Sequence, residues 1–210
     1  MDEQATNLPG AWLHDFSRGI PVLPGNYKIV LQDGVYKDST SVNVLADPRF
    51  TLAPAIDEQL YTYQKKVDVA VEKLSSLLKL IDQKQSALSI LEKRLKELKY
   101  SPENALFLEI KKQQVKLKTL KATGQTPRPQ RQLGAWQTSE ISPYSTIKEV
   151  QQIAMSRTRP ISQQEQELLE EATQLVEKFQ ENTTQFMAND WKLFIEQVQK
   201  AGINWLAILE

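Results

Sequence analysis

The sequence predicts a mainly α-helical protein with a small β part: three or four helices in an antiparallel bundle, preceded by three or four short strands. Three observations predict it. Apolar residues recur in heptads from Leu60 onward. Capping signals at Ser101, Thr146 and Ser162 restart the helical pattern after each interruption. Residues 1–50 instead show alternation and turn dipeptides, with glycines at Gly10, Gly19, Gly25 and Gly34. The chain therefore divides into a β section, 1–50, and a helical section, 51–210, with a long loop at about 123–142.

In the β section, Tyr27, Ile29 and Leu31 alternate with polar residues and line one face of a strand entered through Pro24-Gly25. Asp33-Gly34 is a hairpin turn signal, because both residues tolerate positive φ. A return strand is expected over Val35–Lys37 and again over Ser41–Leu45, with Val42 and Val44 facing the same way. A further strand is expected near Trp12–Phe16. So few strands cannot close a sandwich, and a lone hairpin is marginal in water, so this section must pack against something.

Pro54 precedes the first long helix. One seam runs Leu60, Val67, Leu74, Ile81, Leu88, Leu95, and its companion runs Tyr63, Ala70, Leu77, Lys84, Leu91, Leu98. Only Lys84 interrupts a stripe about 60 Å long at 1.5 Å per residue. Ser101-Pro102-Glu103 reads as N-cap, first helical residue and first-turn acid of a second helix carrying Leu106, Ile110, Leu117 and Leu120. The short connection predicts an antiparallel hairpin of helices. From Thr123 the pattern breaks into the loop. Thr146 with Glu149 reads as a capping box for a shorter helix bearing Ile147, Val150 and Ile153, which Pro160 ends. Ser162 with Glu165 is a second capping box. It opens a last helix expected to bury Leu168, Ala172, Leu175, Phe179, Phe186 and Leu193 until Gly202, with Ile203, Trp205, Leu206 and Ile208 tucked onto the helices as an apolar tail.

Composition removes several classes of function. Of 210 residues, 40% are hydrophobic, and 26 basic residues balance 26 acidic ones, so no global field draws in nucleic acid or an anionic membrane. The absence of cysteine excludes disulfides, thiolate nucleophiles and Cys-based zinc sites. No stretch is apolar enough to span a bilayer, and the acidic start Met1-Asp2-Glu3-Gln4 is no signal peptide.

Nothing in the chain assembles into a catalytic constellation, and no cofactor or metal is implied. His14 is the only histidine, and Asp15, its sequence neighbour, cannot orient it; it reads as a structural or surface residue. The acid pairs Glu170-Glu171 and Glu165/Glu167 read as solvated helix faces rather than an acid–base pair facing one cleft. Lys111, Lys112, Lys116, Lys118 and Lys121, running into Arg128 and Arg131, form a basic cluster that could meet phosphate. They lie largely opposite the Ile110–Leu117 face and near a helix C-terminus, where cations are favoured, so a solubilising face is the simpler reading. Trp12 and Trp136 each follow Gly-Ala and could stack on a sugar ring if exposed together; Trp191 and Trp205 fit the last helix and tail as core residues. The heptad seam leaves a homodimeric coiled coil open, although the Lys84 interruption and the short turn at Ser101-Pro102 favour a partner helix within the chain.

Val22–Leu31, the Asp33-Gly34 turn and the exit Val42-Asn43-Val44-Leu45-Ala46-Asp47-Pro48-Arg49 resemble the C-terminal region of large bacterial proteins with sortilin-like or BNR-type repeats, often labelled glycosyl hydrolases. Arg159-Pro160-Ile161-Ser162 and Trp191–Leu206 are similar to that region too. The resemblance implies a partial immunoglobulin-like β-sandwich followed by helices, within a secreted, periplasmic or cell-surface parent. Sugar chemistry would lie in upstream β-propellers, so no catalytic residue carries over. The implied role is that of an accessory or interaction domain partnered with upstream repeat domains of the same parent chain, with a carbohydrate-binding module and a nucleic-acid binder as alternatives.

Overall fold

The computed structural model describes residues 22–46, 48, 54–101, 104–125, 141–156 and 159–201. It is mainly helical with one small antiparallel sheet. Strands β1 (Gly25–Asp33) and β2 (Tyr36–Val44) form a two-stranded hairpin, followed by α1 (Pro54–Glu97), α2 (Ala105–Gly124), α3 (Pro143–Ser156) and α4 (Gln163–Phe186). A π-helical turn, Met187–Trp191, carries α4 on into α5 (Lys192–Lys200).

The hairpin turns one residue later than its DG signal suggests. Asp33 pairs with Tyr36, so Gly34 and Val35 form the loop, and Gly34 takes the positive φ of +57°. A type I′ loop at Asp33-Gly34 would demand positive φ at both residues; glycine at the first loop position with an ordinary φ at Val35 follows the II′ pattern. This register sets Tyr27 opposite Val42 and Gly25 opposite Val44, which puts Tyr27, Ile29, Leu31, Tyr36, Val42 and Val44 on one face, with Thr40 and Asp38 among them, and leaves Val30 on the other. The two return segments expected at Val35–Lys37 and Ser41–Leu45 are a single strand, because the ladder carries Asp38–Thr40 through. The third or fourth strand expected near Trp12–Phe16 lies outside the described residues.

α1 is 44 residues long, about 66 Å at 1.5 Å per residue. Its first seam is buried throughout, from Leu60 to Leu95. The companion seam is buried at Tyr63, Ala70, Lys84 and Leu91, half-buried at Leu77 and open at Leu98, which lies just past the end of the helix. Val71, Leu78 and Ala87 are buried as well, so the covered stripe is wider than two heptad positions. Width follows from neighbours: α1 meets α2, α3 and α4 rather than a single partner.

Named contacts give the helix directions. Gln114 reaches Glu92 and Lys121 reaches Asp82, so α2 runs antiparallel to α1. The last turn of α3 meets the start of α1, where Gln64 Nε2 donates to the Ala154 carbonyl at 3.0 Å. The first turn of α4 meets the same end, where the Tyr63 hydroxyl donates to the Glu165 carbonyl at 3.0 Å. Higher up, Lys84 lies over Trp191, so α4 and α5 climb parallel to α1. α2 and α3 are the descending limbs between two ascending ones. Their apolar stripes converge on one core that includes Leu74, Leu78, Ile81, Leu88, Ile110, Leu117, Ile147, Ala172, Val176 and Phe194. Truncating such a leucine to alanine costs about 2–5 kcal/mol.

Three helix boundaries and the register of the last helix differ from the sequence signals. α2 starts after Asn104, whose side chain accepts from the Leu106 N–H at 2.9 Å, so Asn104 rather than Ser101 is its N-cap. α2 also continues through Gly124 instead of breaking at Thr123, and Gly124 packs under the ring of Phe179, with no room for a Cβ. α3 begins at Pro143 with the Ser142 and Ser145 hydroxyls capping its first turn, so Thr146 lies inside the helix and donates to the Ser142 carbonyl at 3.0 Å. The Ser162–Glu165 capping box is formed as the sequence predicts.

The fourth difference has a geometric cause. Ala172, Phe179 and Phe186 keep heptad spacing, but Leu193, the next member, is 58% exposed and Phe194 is buried in its place. The π turn accommodates one extra residue per turn, which rotates everything after it by one position. Leu168 and Leu175 are likewise half-buried beside fully buried Leu169 and Val176.

Candidate functional site

Three regions hold side chains in environments that folding alone does not explain. The first is a polar layer in the middle of the helices. Lys84 occupies a seam position and is only 9% exposed. Its ammonium stands 5.5 Å from the centroid of the Trp191 ring. A cation over an indole face is attracted by the ring quadrupole, more strongly once water is excluded. Trp191 is itself set between Phe186 and Phe194, with ring centroids at 6.4 and 5.5 Å. Its indole N–H is buried without a hydrogen-bond partner. Beside this layer Lys116 pairs with Asp190, and Lys121 with Asp82, tying α2 to both ascending limbs. One turn along α2, Gln113 replaces the expected apolar residue; its amide donates to Glu109 at 2.8 Å, and its buried carbonyl oxygen has no partner.

Lys84 faces a ring, and the neighbouring carboxylates are engaged by lysines. Among the described residues no cluster of three or more His, Asp or Glu side chains could hold a metal ion. At Glu92, hydrogen bonds from Lys96 and then Gln114 hold the carboxyl below the usual carboxylate range, against the opposing effect of partial burial.

The second region is the lower end, where Glu165 is buried within the capping box. The Ser162 N–H donates to its carboxylate at 2.9 Å, and Arg159 lies 3.7 Å from the other oxygen. Glu165 thus closes a helix end, whereas Glu167, Glu170 and Glu171 are exposed.

The lysine cluster is partly neutralised in place. Lys112 pairs with Glu109, Lys116 with Asp190 and Lys121 with Asp82; Lys111 contributes to the field that favours ionised Glu92, and Lys118 is exposed. Arg128, Arg131, His14, Trp12 and Trp136 lie outside the described residues, so the paired-tryptophan surface does too. Trp205 also lies outside, while Trp191 is buried as a core residue.

The third region is the hairpin. Tyr27, Ile29, Leu31, Tyr36, Val42 and Val44 share one face. Ile29 is 53%, Leu31 73% and Tyr36 79% exposed. Asn26, Lys28, Val30, Gln32, Lys37, Ser39, Ser41 and Asn43 fall on the other face, which is polar except for Val30. Alternation had given the amphipathic pattern; the missing cover is a tertiary fact that no local pattern carries. The Lys84–Trp191 pairing was legible only as a broken seam on one helix and an unassigned tryptophan on another.

No helix among the described residues is long and apolar enough to cross a membrane. In comparisons with protein families, curated proteins and solved structures, nothing matches this chain.

Proposed function

We propose that this chain is a non-catalytic accessory module: an antiparallel helical bundle carrying a hairpin that belongs to a partial immunoglobulin-like sandwich, within a larger exported protein of the BNR or sortilin-like type. The observation that carries this reading is the uncovered apolar face of the hairpin beside a helical core that is already closed. A two-stranded ribbon has too little burial to be stable alone, so a face of this kind acts by packing against another β surface. Upstream repeat domains of the same parent are the partner that the resemblance implies. The helices supply rigidity, and their buried polar layer fixes the alignment of the limbs.

Hydrogen exchange tests the reading. The amides of Ile29–Leu31 and Thr40–Val42 are expected to exchange faster in the isolated chain than in the intact parent protein, while α1 exchanges alike in both. Equal, slow exchange in the isolated chain would show a hairpin that needs no partner and would overturn the proposal. Glycoside hydrolysis by the isolated chain would overturn its non-catalytic part.

A further inference from the structure

Two exposed helix faces carry opposite charge at the same intervals. On α2, Leu108 and Val115 stand seven residues apart on one outward face and are 58% and 64% exposed, with exposed Lys111, Lys112 and Lys118 around them. On α4, Glu170, Glu171 and Glu177 are exposed and repeat the lysine spacing, one residue and then six. Equal intervals mean equal rises along a helix, so a single parallel register sets all three lysines beside all three glutamates. That register also lays the stems of Glu167 and Gln174 over Leu108 and Val115. Within one copy Lys112 meets Glu109 at 3.4 Å, a contact between adjacent turns, and the other five form no ion pair among the described residues.

The two faces stand at opposite ends of adjacent limbs. Lys116 pairs with Asp190 and Gly124 lies under Phe179, so α2 from Leu108 to Lys118 runs beside α5 and the top of α4, whereas Glu170–Glu177 occupy the lower part of α4. Within one copy α2 descends and α4 ascends. A two-fold axis across the helices therefore lays α2 parallel to the α4 of a second copy, and the same operation lays α4 parallel to that copy's α2. Two α2 faces meeting each other would instead set lysine against lysine.

We propose that the lysine face of α2 binds the glutamate face of α4 on a second copy of this chain, giving a two-fold dimer with two identical sets of contacts. The inference is independent of any role for the hairpin. Exposed ion pairs contribute little each and are screened by salt, so the dimer is weak, with a Kd between about 1 µM and about 1 mM.

Sedimentation equilibrium on the full chain tests it. The expected result is a monomer–dimer equilibrium whose Kd rises about tenfold or more between about 0.1 M and about 1 M salt, as the screening length falls from about 10 Å to about 3 Å. One variant carries Lys111→Glu and Lys118→Glu, another Glu170→Lys and Glu177→Lys; all four positions are exposed, so circular dichroism should match that of the unaltered chain. Each variant alone should be monomeric, because both contacts then join like charges. An equimolar mixture of the two should dimerise again, because every contact then joins opposite ones. A chain that is monomeric throughout, a dimer that either variant leaves intact, or variants that stay monomeric when mixed overturns the proposal. Masses beyond the dimer would show head-to-tail chains and overturn the two-fold arrangement.

Discussion

Gly124 shows how a single atom can decide a helix–helix contact. A Cβ built there would meet the Phe179 ring at 2.4–2.8 Å, closer than real contacts allow, and Phe179 is buried in the core. Gly124→Ala should therefore cost about 1–3 kcal/mol, the range for overpacking a filled site, rather than the slight gain alanine usually brings to a helix. Chemical denaturation checks this, and Phe179→Leu in the same background should recover part of the loss, because the two positions share one contact. The sequence could not reveal it: a glycine before Gln-Thr-Pro reads as a helix breaker, and only the tertiary neighbour shows it as a helix residue. Lys84 is the converse case. Its interruption of the seam was plain in the sequence, but the indole that receives it lies on another helix 107 positions away, a distance over which periodicity says nothing.

At the scale of elements, heptads mark every long helix, and the capping box at Ser162 is legible in the sequence because its partners are local. Where a signal depended on competition between neighbours, the structure chose differently: Asn104 over Ser101, Ser142 over Thr146, and Gly34-Val35 over Asp33-Gly34. The π turn was invisible because it is an insertion relative to a pattern, and a pattern has no landmark for the extra residue. It makes a sharp prediction. Deleting Asn189, which is exposed, should convert the π turn to α-helix, keep Phe194 facing inward, and leave the thermal midpoint within a few degrees. Deleting exposed Glu177 from regular α4 should rotate the remainder by one position and abolish cooperative melting. Loss of cooperativity in both variants would refute the assignment of the turn as the register adjuster. Glu92 gives a pH prediction on the α1–α2 contact. Its carboxyl is held below the usual range in the folded state, so its stabilising effect is present above the unfolded value and fades as pH falls through the folded one. Glu92→Gln should thus lower stability at neutral pH by about 0.3–0.5 kcal/mol, as for other partly exposed i,i+4 pairs, and the difference should vanish in acid. Parallel denaturation curves at pH 7 and pH 3 measure it.

For the molecule as a whole, two structural economies coexist in one chain. The helical part closes its own core, with nine of the largest fully buried side chains among the described residues contributed by α1 and α2. The hairpin closes nothing: its backbone ladder is complete, but its apolar face is open. Stability should accordingly reside in the helices alone. A chain starting at Asp47 is expected to melt, by circular dichroism at 222 nm, within about 2–4 °C of the full chain, the shift that 1 kcal/mol produces at this size. A peptide of residues 22–46 should show no cooperative transition, since two strands with one uncovered face cannot offset the entropy of ordering them. Both outcomes follow from the same premise, that the hairpin and the helices do not depend on one another for burial. A larger fall in the melting midpoint would mean that the hairpin lends its apolar face to the helical core. The open face would then no longer be available to another β surface, and the chain would be a single closed unit rather than an accessory waiting for its partner.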